Sequence, residues 1–172
     1  MSIYEELEDS LYNAIEETFQ ILGESIVITF SHQNGPEPKG NYVSINVLEL
    51  TREGRASKSG MAYFPATRAE EYAVQGYNGL IQLNFYGTGA GELSSLFHSQ
   101  FMNNTPVRES FLRNNLAPRT ISNLRRAPQL RDTVWVNSFA MDVRVGWAVR
   151  TIQDVDWADY VTVNGNTIPL QK

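Results

Sequence analysis

The stretch WVNSFAMDVRVGWAVR, residues 135–150, decides the fold class because its side chains alternate in character. The odd positions other than Asn137 are apolar, whereas Ser138, Asp142, Arg144 and Arg150 occupy even positions. The apolar positions are Trp135, Phe139, Met141, Val143, Val145, Trp147 and Val149. A two-residue period of this kind is typical of a strand with one buried face and one wet face. We therefore predict one long strand in a sheet that is covered on one side.

Three further segments predict strands that could join it. Residues 42–50 and 80–86 repeat the alternation, with isoleucine, leucine, valine and phenylalanine on one side and serine, asparagine or glutamine on the other. Residues 26–30 form a shorter apolar run. The segment 33–40 that follows contains two prolines and two glycines, which indicates a surface loop.

The chain opens with an amphipathic helix. Apolar side chains recur every three or four residues from Ile3 to Leu22, and Gly23 follows as a stop signal. Ser2 and Glu5 have the spacing of a capping box, in which each side chain bonds the other residue's backbone N–H.

Two more helices are predicted after the third strand. The first follows a glycine-rich turn and carries Leu93, Leu96, Phe97 and Phe101 on one face. The second begins with Thr105 as the expected N-cap and Pro106 at the first helical position.

This order of elements predicts an α+β fold. We expect a mainly antiparallel, twisted sheet, with the N-terminal helix and the central helix pair packed on one face. Residues 1–172 should form a single domain. Within it, residues 52–62 are small, charged and aperiodic, which indicates a long, mobile hairpin arm. Residues 153–172 should close the chain with an Asn-Gly hairpin.

Composition excludes several classes of protein. The chain has no cysteine, which removes disulfide scaffolds and thiolate metal sites. No run of eighteen apolar residues indicates a membrane span, and the N-terminus lacks the pattern of a secretory signal. A net charge of −5 argues against a protein that wraps nucleic acid.

The charges are separated along the sequence. Residues 1–22 contain six acids and no lysine or arginine, whereas residues 108–131 contain six arginines and the single acid Glu109. These segments could attract each other within one copy or between copies, although solvated faces are the commoner explanation. The candidate interface residues are Glu5, Glu8, Glu16, Arg119, Arg125, Arg126 and Arg131.

The residues that could carry chemistry form incomplete sets. Gly87, Gly89 and Gly91 precede a helix, but the Lys and Ser or Thr of a phosphate-binding loop are missing at the required spacing. Three carboxylates in residues 154–159 could hold Mg²⁺ or Ca²⁺, although turn-forming aspartates are the commoner explanation. They are Asp154, Asp156 and Asp159. His32 and His98 lie in different elements.

The order of elements and several loose motifs resemble a known family. The motifs are PEPKGNYVSINVLEL (36–50), LIQLNFYG (80–87), LRRAPQL (124–130) and WVNSFAMDVRVGWAVR (135–150). Across about residues 3–165, the chain resembles the neck or tail-terminator proteins of tailed bacteriophages.

The resemblance implies a structural virion protein of the tail or neck, assembled in the host cytoplasm. Such a protein would form a ring, usually of six copies, that ends the tail tube and joins it to the head-side connector. Its partners would be its own copies, the tail tube protein and the connector or neck proteins, while DNA passes through the lumen without specific binding. No cofactor and no catalytic residue are implied. Two alternatives stay open: a Mg²⁺- or Ca²⁺-dependent enzyme using Asp154, Asp156 and Asp159, and a monomeric module that binds phosphates through Arg125, Arg126 and Arg131.

Overall fold

The computed structural model describes residues 2–33, 36–64, 68–131, 134–155, 160–163 and 166–169. Side chains are described for these ranges except residues 55–72, 130–135 and 152–172. By the density of its internal contacts the chain divides into two units. One comprises Met1–Glu53 and Gly76–Ala148, and the other comprises Gly54–Gln75 and Val149–Lys172.

The N-terminal helix forms as its sequence predicts. Helix α1 spans Ile3–Ile21, and both halves of the capping box are made. The Ser2 side chain accepts from the Glu5 backbone N–H at 3.2 Å, and the Glu5 carboxylate accepts from the Ser2 backbone N–H at 2.5 Å. Its buried side chains lie on one face at three- and four-residue steps. They are Leu7, Leu11, Ala14, Ile15, Thr18 and Phe19.

The first four strands of the chain all belong to the main sheet. They are β1 (Val27–Phe30), β2 (Tyr42–Phe64), β3 (Arg68–Tyr86) and β4 (Leu116–Ile121). β5 (Arg125–Arg126), β6 (Gln129–Arg131), β7 (Val134–Val136), β8 (Ser138–Val155), β9 (Tyr160–Val163) and β10 (Asn166–Pro169) follow. Among the described residues, the main sheet has the order β1-β2-β3-β8-β4, and β5 also pairs with β8.

The main sheet is mostly antiparallel, which confirms the predicted class. Its parallel pair is β1 with β2, in which Val27 lies opposite Tyr42. β4 and β5 are both antiparallel to β8, and β4 shifts register between Pro118 and Thr120. β6 and β7 form a separate two-stranded sheet.

The predicted strand over residues 135–150 has different bounds in the structure. The strand is interrupted at Asn137. β7 therefore ends at Val136, and β8 begins at Ser138 and continues to Val155. The predicted burial is confirmed for Met141, Val143 and Val145, which are at most 1% exposed. Strand alternation therefore identified the core face, and the interruption falls at Asn137, the polar residue that breaks the alternation.

All three helices pack on one face of the sheet through phenylalanine rings. Helix α2 spans Ala90–Gln100 and helix α3 spans Thr105–Arg113. The ring of Phe19 on α1 lies 6.3 Å from that of Phe85 on β3 and 5.8 Å from that of Phe97 on α2. From Phe97 the contacts continue to Phe101 and then to Phe111 on α3, at 5.5 and 5.1 Å. Offset and edge-to-face contacts of this kind add to the free energy of burial.

The start of α3 corrects one prediction. Thr105 was expected to be the N-cap, but the N-cap is Asn104, whose side chain accepts from the Val107 backbone N–H. Asn104 is an equally good cap by residue type, and its extended backbone lets Thr105 and Pro106 occupy the first turn.

The second unit contains a short hairpin of its own. β9 and β10 pair antiparallel, with Asn166 opposite Val163 and Pro169 opposite Tyr160. This confirms two paired strands within the predicted terminal hairpin, while its Asn164-Gly165 turn lies outside the described residues. The backbone of residues 54–64 continues β2 as strand, as expected for a hairpin arm, and the mobility of residues 52–62 stays a prediction.

Replacing Phe97 by alanine should destabilise the fold by about 3–5 kcal/mol. Phe97 is fully buried and joins two helices to the sheet, so truncation leaves a cavity that no neighbour fills. The free energy of unfolding in urea measures the loss. Leu112→Ala is the control, because Leu112 is 52% exposed and should cost less than about 1 kcal/mol. Equal losses for both variants would contradict this packing.

The capping box predicts a pH dependence at Glu5. The hydrogen bond from the Ser2 backbone is the main cause that lowers the pKa of Glu5 below its ordinary value of 4.5. A lowered folded pKa stabilises the fold above the unfolded value, and this contribution disappears as pH falls through the folded pKa. The melting temperature of Glu5→Gln should lie below that of the unsubstituted chain at pH 7, and the difference should shrink in acid. A difference that stays constant down to pH 2 would contradict the cap.

Candidate assembly surfaces

The outward face of α1 is acidic. Glu5, Asp9 and Glu16 are exposed and lie four and seven residues apart, opposite the buried face. Glu8 lies at the side of the helix, where its carboxylate is 3.6 Å from Nδ1 of His32. Two of the predicted interface acids, Glu5 and Glu8, therefore also have contacts within the chain, while Glu16 projects to solvent.

Among the described residues, the predicted attraction between the acidic and basic segments occurs once. The Arg113 guanidinium on α3 donates to Glu17 on α1, and the Asn114 side chain donates to the other oxygen of Glu17 at 3.2 Å. A buried contact between the hydroxyls of Thr18 and Ser110, at 3.1 Å, joins the same two helices. These contacts fix α3 against α1.

Arg119 makes an ion pair that crosses the sheet. Its two terminal nitrogens each lie 2.8 Å from an oxygen of Glu53, and strands β8 and β3 lie between β4 and β2. β2 and β4 are three strand spacings apart, about 14 Å. The Arg119 and Glu53 side chains must therefore both be extended to meet. The guanidinium lies directly over Gly146, because a Cβ there would be 2.8 Å from Nε of Arg119. Glu53 similarly passes Gly76, at 3.7 Å from the position of a Cβ.

The remaining predicted arginines differ in their surroundings. Arg125 donates to the Asp142 carboxylate at 2.7 Å on the helix-free face of the sheet. Arg126 is exposed and lies 3.5 Å from the Asn137 side-chain oxygen, and the described residues offer it no carboxylate partner. Arg131 belongs to β6, and its side chain lies outside the described set. Among the predicted arginines whose side chains are described, Arg126 is therefore the one without a carboxylate partner.

The glycine-rich turn before α2 is occupied by the chain itself. The Gly89 backbone N–H donates to the Asn41 side-chain oxygen at 2.9 Å. That oxygen also lies 2.4 Å from where a Cβ would stand at Gly87, whose φ of +104° requires glycine. The glycines therefore serve close packing against Asn41, in agreement with the incomplete phosphate-loop pattern of the sequence.

A groove opens beside β1 on the helix-free face. It has a volume of about 270 Å³ and is bounded by β1, by the first residues of β2, and by the proline loop at residues 36–38. Inside it the rings of Tyr42 and Tyr86 stack at 4.7 Å, and the Tyr42 hydroxyl donates to the Glu37 carboxylate at 2.7 Å. The groove thus combines aromatic walls with one carboxylate.

The other candidate residues for chemistry are the two histidines and the three aspartates of residues 154–159. The two histidines have different neighbours. His98 Nε2 lies 3.1 Å from the Ser122 carbonyl oxygen, whereas His32 lies beside Glu8. In the part of the chain that the structure describes, no three histidine, aspartate or glutamate residues are grouped as metal ligands would be. Asp156 and Asp159 lie outside that part, as does the side chain of Asp154. None of the described helices is both long enough and apolar enough to cross a bilayer.

One comparison with known proteins decides the family. The family model described as phage neck terminator protein matches residues 5–169, nearly the whole chain. The chain belongs to the phage neck terminator family. A search of curated proteins found no match. The family assignment makes this neck terminator a structural component of the virion tail or neck, which confirms the resemblance seen in the sequence.

The ion pair over Gly146 of the neck terminator is open to a coupling test. Arg119→Gln should cost about 0.2–1 kcal/mol, because the side chains of the pair are 43% and 38% exposed. In a chain that already carries Gly146→Ala, the same change should cost almost nothing, since the added methyl displaces the guanidinium. The coupling is measured from the free energy of unfolding in urea of the unsubstituted chain, Arg119→Gln, Gly146→Ala and the double variant. Arg144→Gln is the control. Arg144 is an exposed arginine on β8, the strand of Gly146, and its replacement should change stability by less than about 0.5 kcal/mol. Equal Arg119→Gln costs in both backgrounds would contradict the geometry.

Proposed function

We propose that this neck terminator closes into a ring, of six copies by family resemblance, which ends the tail tube and joins it to the head-side connector. Its partners are copies of itself, the tail tube protein and connector or neck proteins. The match of the family model over residues 5–169 carries the proposal. The protein acts by assembly and uses neither catalysis nor a cofactor.

The distribution of surface features supports a closed ring. A ring is built from heterologous contacts, in which one surface of each copy meets a different surface of the next. The chain offers two such surfaces, because its acids concentrate on α1 and its exposed arginines lie elsewhere. The interface residues predicted from the sequence, Glu5, Glu8, Glu16, Arg119, Arg125, Arg126 and Arg131, remain proposals, and Arg119 and Arg125 would act with their internal partners Glu53 and Asp142.

The passage of DNA through the lumen fits the charge of the protein. A net charge of −5 per copy opposes tight binding of phosphates, which would slow a moving duplex. On the helix-free face, Asp142 and Glu53 each pair with an arginine, so the basic groups there are largely balanced by acids. DNA would therefore meet a surface that attracts it weakly.

The absolute mass of the purified protein over a range of concentrations tests the ring. Light scattering should show an assembly of about six copies, and negative-stain images should show a central hole. A protein that stays monomeric at every concentration, and also in the presence of the tail tube protein, would contradict the proposal. Specific binding of short DNA duplexes at low salt would instead favour the phosphate-binding alternative.

A further inference from the structure

The two edges of the main sheet carry opposite chemical character. One edge is β1 and the other is β4, which β5 continues beyond Ser122 along the same strand β8. At the β1 edge lie Glu8, His32 and Glu37 with the groove. At the other edge lie Arg125 and Arg126. These sets are called the groove edge and the arginine edge.

The groove edge has the composition of a site for a guanidinium group. Aromatic faces attract arginine, and a carboxylate can accept its paired N–H groups. The groove supplies the Tyr42–Tyr86 stack and the Glu37 carboxylate within one cavity of about 270 Å³. That volume is below the usual range for drug-sized ligands, about 300–1,000 Å³, and suits a single long side chain.

Exposed aromatic and apolar side chains also lie along the groove edge, on α1 and on β1. Tyr4 and Tyr12 lie one turn on either side of Glu8 on α1, so all three face the β1 side of the helix. They are 49% and 38% exposed, and Val27 on β1 is 46% exposed. Tyrosines beside charged groups are enriched where proteins meet.

Neither edge is built to extend the sheet by backbone pairing. β1 has only four residues, and its Phe30 backbone N–H donates to the Gln33 side chain at 3.4 Å. β4 contains Pro118, which has no N–H. Features of this kind prevent strands from adding to a sheet edge. Contacts between copies at these edges therefore depend on side chains.

We infer that neighbouring copies meet edge to edge, with Arg126 of one copy inserted into the groove of the next. Because the two edges are on opposite sides of one sheet, each copy offers a donor on one side and an acceptor on the other. Repetition of this heterologous contact gives a closed ring when the rotation from one copy to the next closes. The inference rests on the proposed ring and names the surfaces that form it.

The cysteine-free chain permits a direct crosslinking test. Glu37→Cys and Arg126→Cys are combined in one chain and treated with a short bis-maleimide under conditions in which the unsubstituted protein assembles. Denaturing gels should show a ladder that ends at the ring number. A crosslink within one copy is not expected, because four strand spacings separate the edges by about 19 Å. Each single variant should give dimers at most.

Arg108 supplies the matched control. It is an exposed arginine in the first turn of α3, outside the groove and outside β5, and no described acid pairs with it. Glu37→Cys combined with Arg108→Cys should give no ladder. A further outcome is that the chain that carries both Glu37→Cys and Arg126→Cys forms rings in the microscope and yet gives no ladder. That result would contradict the edge contact and leave the proposed ring intact. If the unsubstituted protein forms no assembly at all, the proposed function fails, and the edge contact with it.

Charge reversal tests the chemistry of the same contact. Arg126→Glu and Glu37→Lys should each weaken self-association at least about tenfold, because like charges then face each other. The two changes together should recover most of the affinity, whereas Arg108→Glu should leave it unchanged. Circular dichroism and melting temperatures establish that each variant folds. Single reversals that leave the affinity unchanged, or a double variant that recovers nothing, would overturn the inference.

Discussion

The structure depends on one aromatic cluster, which runs from Phe19 and Phe85 through Phe97 and Phe101 to Phe111 and holds the three described helices against the sheet. Because this cluster draws all three helices to the same side, the opposite face of the sheet has no helical cover. That face can then carry the groove and the ion pairs of Arg119 and Arg125. The surfaces available for assembly thus follow from where the core lies.

Much of the fold could be predicted from the sequence because its signals are local. The period of α1 and its Ser2–Glu5 cap involve residues three or four apart, and both were predicted correctly. Strand alternation likewise identified Met141, Val143 and Val145 as core. The parallel pairing of β1 with β2 carried no such signal, because β1 is too short to show a period.

The candidate surfaces were less predictable, since they depend on residues far apart in the chain. The clustering of arginines was visible, but the partners of Arg119 and Arg125 were not, because Glu53 and Asp142 are 66 and 17 residues away. The groove was missed for the same reason. One signal could have indicated it: Tyr42 and Tyr86 are aromatic residues on the polar side of their strands, and each is only 5% exposed.

The contact between Thr18 and Ser110 has a consequence for synthesis of the chain. The two hydroxyls are separated by 92 residues, so α1 leaves the ribosome long before the helix against which it packs. At about 5–20 residues per second, this delay is on the order of 10 s. During that time Leu7, Leu11 and Phe19 have no native cover, and a nascent chain in this state is exposed to aggregation and to chaperones. The yield of subunits for a virion therefore depends on how the cell protects an unfinished helix.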